Sequence, residues 1–317
     1  MYYQIGYSKD QDIRYQASSG GIGTAIIKYL MESGKYGTSM TFVFNVEECR
    51  YELKLIYDFS DYNNCGSIYQ DIDNINFIKR NLCNIRNGII VTCMPCQVNA
   101  IKTILKKNKI NCFVISLFCS GQTTVEGTWQ YYKLLGINKK DVHKIQYRGK
   151  GWPSGIQISL KNGNVIKRDN HTYPWTLMHH SLLFRPRRCF YCKILYEPNS
   201  DVTLADAWLE EYLEKDKIGN TIIISNDNGY SVLNEMSEHG SVFLKDVREE
   251  DFLLSQSYTI NCKKEIDKYK SFFKIIEKMK REGSLYKYLA TSSAFMLKMH
   301  MKLIGKLRKR IQDYNIR

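Results

Sequence analysis

The chain has 317 residues, 44% apolar and 13% aromatic, enough to bury the core of one large domain or two modest ones. A net charge of +14 sits unevenly, with 16 Lys+Arg against 5 Asp+Glu in residues 263–317, and no zinc-finger or RNP-like motif accompanies it, which argues against a nucleic-acid binder. No leader pattern opens the chain, and the most apolar stretch, 285–305, is interrupted by Lys287, Lys298 and Lys302, so a soluble cytoplasmic protein without signal peptide or membrane span is expected.

In a reducing compartment ten cysteines favour metal or redox roles over structural disulfides. Cys49, Cys83, Cys112 and Cys262 stand singly in ordinary surroundings and read as small buried hydrophobes, whereas Cys65 fits either class.

In chain order, the Tyr-rich start is irregular. Ser18-Ser19-Gly20-Gly21 then opens a helix predicted over 22–30, with Ala25, Ile26, Tyr29 and Leu30 on one face. Glycines at a helix N-terminus turn N–H groups outward and favour a phosphate; the same residues also serve as an ordinary N-cap. Gly21-Ile22-Gly23 makes no dinucleotide fingerprint, because no clear strand precedes it and the third glycine is missing. Residues 41–46 and 51–57 alternate as strands.

Residues 88–92 and 113–118 read as apolar strands, followed by helices over 97–105 and 128–135, an alternation that implies a parallel sheet. Cys93-Met94-Pro95-Cys96 joins the first strand to its helix, where positive backbone ends lower the pKa of a thiol; C-x-P-C is equally the setting of a thiol–disulfide pair. Cys119-Ser120-Gly121 follows the second strand, at the edge where parallel sheets place ligands.

Tyr147-Arg148-Gly149-Lys150-Gly151-Trp152 mixes cations, glycines and an aromatic ring, which suits an anionic planar ligand such as a flavin nucleotide, or a plain exposed turn. Residues 156–160 and 165–167 form a hairpin, with a tight primed turn expected from Asn162-Gly163. Cys189-Phe190-Tyr191-Cys192 is the best ligand pair, since two intervening residues let both sulfurs reach one centre. His179-His180 is set aside because adjacent histidines diverge. Residues 202–204 and 221–225 are strands, and Asp206 between them suits a ribose hydroxyl or a turn cap.

From residue 263 the pattern is helical, with one stripe at Phe272, Ile275, Ile276 and Met279 and another at Met296, Met299, Leu303 and Leu307, broken near Gly283-Ser284. Its basic side reads as a solvated face, or as a contact for an anionic membrane surface or an acidic partner.

One of Cys93 and Cys96, together with Cys119, Cys189 and Cys192, makes a natural cage for an iron–sulfur cluster. A non-catalytic structural zinc site built on four cysteines has the same ligand count. A thiol–disulfide enzyme using Cys93 and Cys96 leaves the other three without a role.

Together, over roughly residues 10–240, these segments resemble the coenzyme F420 hydrogenase/dehydrogenase β-subunit family. Ser18 to Gly21 match its Ser-Ser-Gly-Gly segment, and Gly66-Ser67-Ile68-Tyr69 its Gly-Ser-Lys-Tyr segment. Met94-Pro95-Cys96-Gln97 matches Thr-Pro-Cys-Gln and selects Cys96 over Cys93. Cys119-Ser120-Gly121 stands for Cys-His-Gly, residues 189–193 for Cys-x-x-Cys-Lys, and residues 201–208 for Asp-Ile-Thr-Ile-Gly-Asp-Phe-Trp. The resemblance implies a 4Fe–4S cluster on Cys96, Cys119, Cys189 and Cys192. It also implies a flavin, FAD or alternatively FMN, beside Ser18, Ser19, Gly20, Gly21, Gly66, Ser67, Tyr69, Gln97, Arg148 and Asp206. Ile68 in place of lysine and Ser120 in place of histidine argue against use of coenzyme F420 itself. The implied activity is electron relay between cluster and flavin, with a ferredoxin or hydride carrier as redox partner and a small-molecule substrate.

The expected architecture is α/β, with a mixed, partly parallel sheet flanked by helices. It comprises a small N-terminal α+β module (1–80), a catalytic module carrying the cluster cysteines (81–260) and a basic helical tail (261–317). No general acid or base is identifiable.

Overall fold

The computed structural model describes residues 1–281 except 153, 170, 181–182 and 215–218, together with 298–299, 302–303 and 305–306. Its strands are β1 (Tyr2–Ser8), β2 (Ser39–Asn45), β3 (Arg50–Ile56), β4 (Ile89–Cys93), β5 (Cys112–Leu117), β6 (Val142–Gln146), β7 (Gly155–Leu160), β8 (Val165–Asp169), β9 (Val202–Asp206), β10 (Thr221–Ser225) and β11 (Val242–Asp246). Its α-helices are α1 (Gln11–Gln16), α2 (Ile22–Glu32), α3 (Asn74–Asn81), α4 (Pro95–Lys107), α5 (Val125–Leu134), α6 (Trp175–His180), α7 (Glu210–Glu214), α8 (Asp227–Glu238), α9 (Glu249–Ser255), α10 (Ser257–Lys264) and α11 (Lys270–Arg281).

Eight strands form one sheet in the order β11-β1-β10-β9-β5-β4-β2-β3, and β6-β7-β8 form a second, antiparallel sheet. The expected α/β architecture with a partly parallel sheet is therefore present. β2, β4, β5 and β9 run parallel, while β10 pairs antiparallel with both β9 and β1. The C-terminal ends of β1, β9, β5, β4 and β2 consequently face the same edge. Gly6 pairs with Thr221, Thr221 with Asp206, and Phe118 N–H donates to Leu204 O at 2.8 Å, which aligns that edge across the middle of the sheet.

The central strands are apolar on both faces because helices cover both. Ile90, Phe113 and Ile115 pack with Ile22, Ala25, Ile26 and Leu30 of α2. Ile89, Val91 and Val114 pack on the opposite side with Val98, Ile101 and Leu105 of α4. The strand alternation and the helical stripes thus share two core layers. At the start of β9, the buried Asp201 carboxylate accepts from Val114 N–H at 2.7 Å and pairs with Lys102 at 3.1 Å, which locks β9 against β5.

Several elements differ from the sequence reading. The irregular start is in fact β1, a strand between β10 and β11, whose buried Gln4 and Gly6 hide its alternation. A strand therefore does precede Ser18–Gly21, with the short α1 between them. β6, β11, α3 and α8 are further additions. The β7–β8 turn is not primed: Gly163 alone is left-handed (φ 87°), and Leu160 N–H donates to Asn164 O, giving a three-residue loop. Cys83 and Cys262 are exposed rather than buried, the first in a 3-10 turn and the second on the outer side of α10.

β1 to β3, from the first 80 residues, lie in the same sheet as β4, β5 and β9 to β11. The tail is helical through α10 and α11. Met296 and Leu307 of its second predicted stripe, the break at Gly283-Ser284, and the side chains of Phe272, Ile276 and Met279 lie outside the described residues. Among those described, no helix is long and apolar enough to cross a membrane.

Candidate redox site at the edge of the sheet

Loops from distant parts of the chain meet beyond the ends of β1, β9 and β10. The Ser18–Gly21 turn is fastened to the start of β10: Ser19 Oγ donates to Asn220 O at 3.0 Å, and Gly20 N–H donates to Thr221 Oγ1 at 2.8 Å. A methyl group on Gly20 would come 2.5 Å from Gly6 O and 2.8 Å from Thr221 N, so this backbone crossing requires glycine. Gly21 takes the left-handed conformation (φ 81°) that turns the chain into α2, and no side chain caps that helix.

Gly66, also left-handed, lets its strand-following loop lie against Arg148, and Ser67 N–H donates to Ser18 Oγ at 2.5 Å. Gly149, Lys150 and Gly151 all have positive φ, and the N–H groups of Lys150 and Gly151 both donate to Tyr15 O, at 2.7 and 3.1 Å. The predicted 147–152 segment is therefore a tightly folded bend pinned on α1. It delivers the Trp152 ring to within 5.1 Å of the Trp208 ring, centroid to centroid.

Arg148 is the centre of this cradle. Its guanidinium donates to both oxygens of Asp206, at 2.8 and 3.1 Å, and to Ser18 O at 2.6 Å. Burial opposes the charge, but Asp206 and then Tyr69 outweigh it and raise the Arg148 pKa. Arg148 and Asp206, expected to meet a ligand separately, are thus partners that fix the Ser18 turn. Close by in the chain, Gln146 Nε2, Ser154 Oγ and Asn220 Nδ2 are buried without a hydrogen-bond partner among the described residues. Orphaned donors beside an uncapped helix start fit a polar, anionic ligand such as a flavin nucleotide.

The cysteines approach from the neighbouring strands. Cys96 lies in the first turn of α4, just past β4, and Cys119 lies just past β5, with its N–H bonded to Leu195 O at 3.0 Å. Cys189 and Cys192 lie in and just after the 3-10 turn Arg187–Phe190. Arg188 Nη2 reaches Cys96 Sγ at 2.5 Å, which ties the C-x-x-C loop to α4. Burial opposes the Arg188 charge, yet Cys96, then Cys189 and Cys192, raise its pKa overall.

Burial likewise pushes the Cys119 thiol up to about 11; Lys263 and the Gly121 N–H pull it down, while Cys189 and Cys96 push it up. Cys119 thus lies within electrostatic reach of Cys96 and Cys189, and Arg188 within reach of Cys96, Cys189 and Cys192. Among the described residues, no group of three or more His, Cys, Asp or Glu side chains is placed so as to hold a metal ion. Soft thiols accompanied by two cations are a donor set that fits an iron–sulfur cluster. Cys93 faces the core instead, and burial pushes its thiol up to about 12, an environment unsuited to a reactive dithiol with Cys96.

Gln97 and Tyr69 have structural partners. Gln97 Oε1 accepts from Met94 N–H at 3.0 Å and from Asn74 Nδ2 at 2.9 Å, which caps α4. The Tyr69 ring meets Tyr147, Trp175 and His179 edge-on. His179 Nδ1 lies 3.1 Å from Thr123 Oγ1.

Two open clefts, of about 870 and 500 Å³, are lined by Leu209, Lys245 and Arg248 and by Lys102, Lys106 and Asn199 among others; neither contains a predicted site residue. Residues that no local pattern singled out include Asn220 and Thr221, which hold the Ser18 turn, and the cations Arg188 and Lys263. Their roles exist only through contacts between distant segments.

Residues 3–47 match the N-terminal family, and residues 87–250 the C-terminal family, of the coenzyme F420 hydrogenase/dehydrogenase beta subunit. The fold is similar to that of a chain in the F420-reducing NiFe hydrogenase complex from Methanosarcina barkeri, with a TM-score of 0.63 and 16% identity over 86% of this chain and 93% of that one. Comparison with curated proteins finds no match.

Proposed function

The chain belongs to the coenzyme F420 hydrogenase/dehydrogenase beta-subunit family and is an oxidoreductase, and from that premise we propose that it relays electrons between a four-thiolate 4Fe–4S cluster and a flavin. The observation that carries this reading is the shared sheet edge. Cys96, Cys119 and Asp206 lie at or just past the ends of three adjacent parallel strands, which supports a cluster and a flavin held at one edge of the sheet.

In this reading Cys96, Cys119, Cys189 and Cys192 hold the cluster, and Arg188 and Lys263 offset the negative charge of the thiolates. The Ser18–Gly21 turn and the start of α2 receive the flavin phosphates, with Gly66 and Ser67 closing the wall. Arg148 and Asp206 keep that turn rigid. Trp152, itself buried, and Trp208 offer an apolar surface to a planar ring and keep water from it. When bound, the flavin supplies the junction between two-electron and one-electron chemistry, and the cluster a one-electron store. The outward partners are a ferredoxin-class protein or hydride carrier and a small metabolite; Ile68 and Ser120 turn the preference away from a deazaflavin.

Chromatography of the cofactor released on denaturation tests the flavin half of this reading. About one FAD per chain is expected from a single cradle of this kind. FMN in its place would mean that the cradle holds one phosphate group rather than two. Iron-bearing protein that releases no flavin would refute the cradle assignment.

A further inference from the structure

We propose that Lys263 sets the reduction potential of the cysteine-bound cluster, and that a C-terminal clasp outside the family match puts it there. The inference rests on the reading of Cys96, Cys119, Cys189 and Cys192 as cluster ligands. The match ends at residue 250, whereas α10 and α11 follow it and fold back over the C-x-x-C loop.

The clasp is built residue by residue along that loop. Arg187 pairs with Glu277, and Lys193 pairs with Asp267. Tyr191 donates its hydroxyl to Glu277 at 3.0 Å, and the Phe190 ring stacks on Phe273 at 5.3 Å. Phe190 and Phe273 are both buried, so the contact between loop and helix is a small core of its own.

Lys263, on the inner side of α10, is only 5% exposed, and its Nζ donates to Cys192 O at 2.8 Å. Among the described residues it has no carboxylate within ion-pair distance. An ammonium withdrawn from water needs negative charge nearby, and the Cys119 thiol, which its charge reaches, is the source at hand. Arg188 touches the Cys96 thiol, but it is exposed and its field is screened by solvent. The charge on Lys263 acts through a low-dielectric interior and is felt more strongly. Reduction adds one electron to the cluster and makes it more negative. A fixed buried cation stabilises that state more than the oxidised one and so raises the potential.

Anaerobic potentiometric titration with dithionite, followed by electron paramagnetic resonance, tests this on the full chain. Lys263→Met keeps the length and removes the charge; Lys263→Arg keeps the charge. The Met variant is expected to lower the one-electron reduction constant at least about tenfold, roughly 59 mV, with the Arg variant close to the unaltered chain. An unchanged potential in Lys263→Met overturns the assignment. Should the Met variant lose its iron, the Arg variant decides: iron retained with arginine supports a charge role, and iron lost from both overturns it. Absence of a cluster from the unaltered chain would defeat the ligand reading itself, a failure distinct from an unchanged potential in iron-loaded protein.

Discussion

Replacing Cys189 with serine is expected to cut the iron retained after anaerobic purification from about four per chain to less than about one. A serine oxygen is a hard donor with a high pKa and a poor substitute for a soft thiolate on iron. Cys189 also has little freedom to be replaced by a neighbour, because its N–H is bonded to Pro186 O at 2.9 Å within a short turn whose Phe190 is buried. Serine differs from cysteine by one atom, so the turn itself should persist and the far-ultraviolet dichroism should not change. Cys83→Ser is the matched control, since Cys83 is exposed in the turn after α3 and lies apart from the four thiols. Its iron content should equal that of the unaltered chain. Equal iron in both variants would remove Cys189 from the ligand set.

The second large effect is structural. Arg148→Met should destabilise the chain by about 3–5 kcal/mol, read as a lower denaturant midpoint, because it leaves the largely buried Asp206 carboxylate without its partner. The same change frees Ser18 O, so the turn before α2 loses its brace and the flavin should be lost with it. Arg148→Met combined with Asp206→Asn should cost less than the two single changes summed, since the buried charge is then gone. If the double variant is as unstable as that sum, Arg148 acts through packing on Trp152 rather than through Asp206; their guanidinium-to-ring distance is 5.3 Å.

The parts of the fold that were legible are those where local pattern and tertiary environment agree. β4, α4 and β5 read correctly because burial on both faces demands a continuous apolar run, and a helix packed on one face demands a stripe. β1 was not legible. Its buried positions include Gln4, which donates to Asp246 Oδ1 on β11 at 3.0 Å, and that partner lies 242 residues away. α8 starts with Asp227-Asn228-Gly229, which reads as a turn until Asn226 is seen to cap it through Gly229 N–H at 2.9 Å.

The candidate site divides in the same way. The four cysteines stand out because they follow apolar strands or form a close pair, both short-range patterns. The pairing of Arg148 with Asp206 spans 58 positions, and neither residue carries a local mark of the other. Lys263 was hidden among the many cations of the tail. Only the fold shows that this one turns inward, onto Cys192.

We propose that this chain carries both a cluster and a flavin. Anaerobic purification of the unaltered chain, followed by its absorption spectrum and by iron, sulfide, zinc and flavin analysis, tests it most directly. A brown protein with about four iron, about four sulfide and about one flavin per chain is the predicted result. A colourless chain with neither iron nor flavin, and with stoichiometric zinc whose removal unfolds it, would contradict the claim.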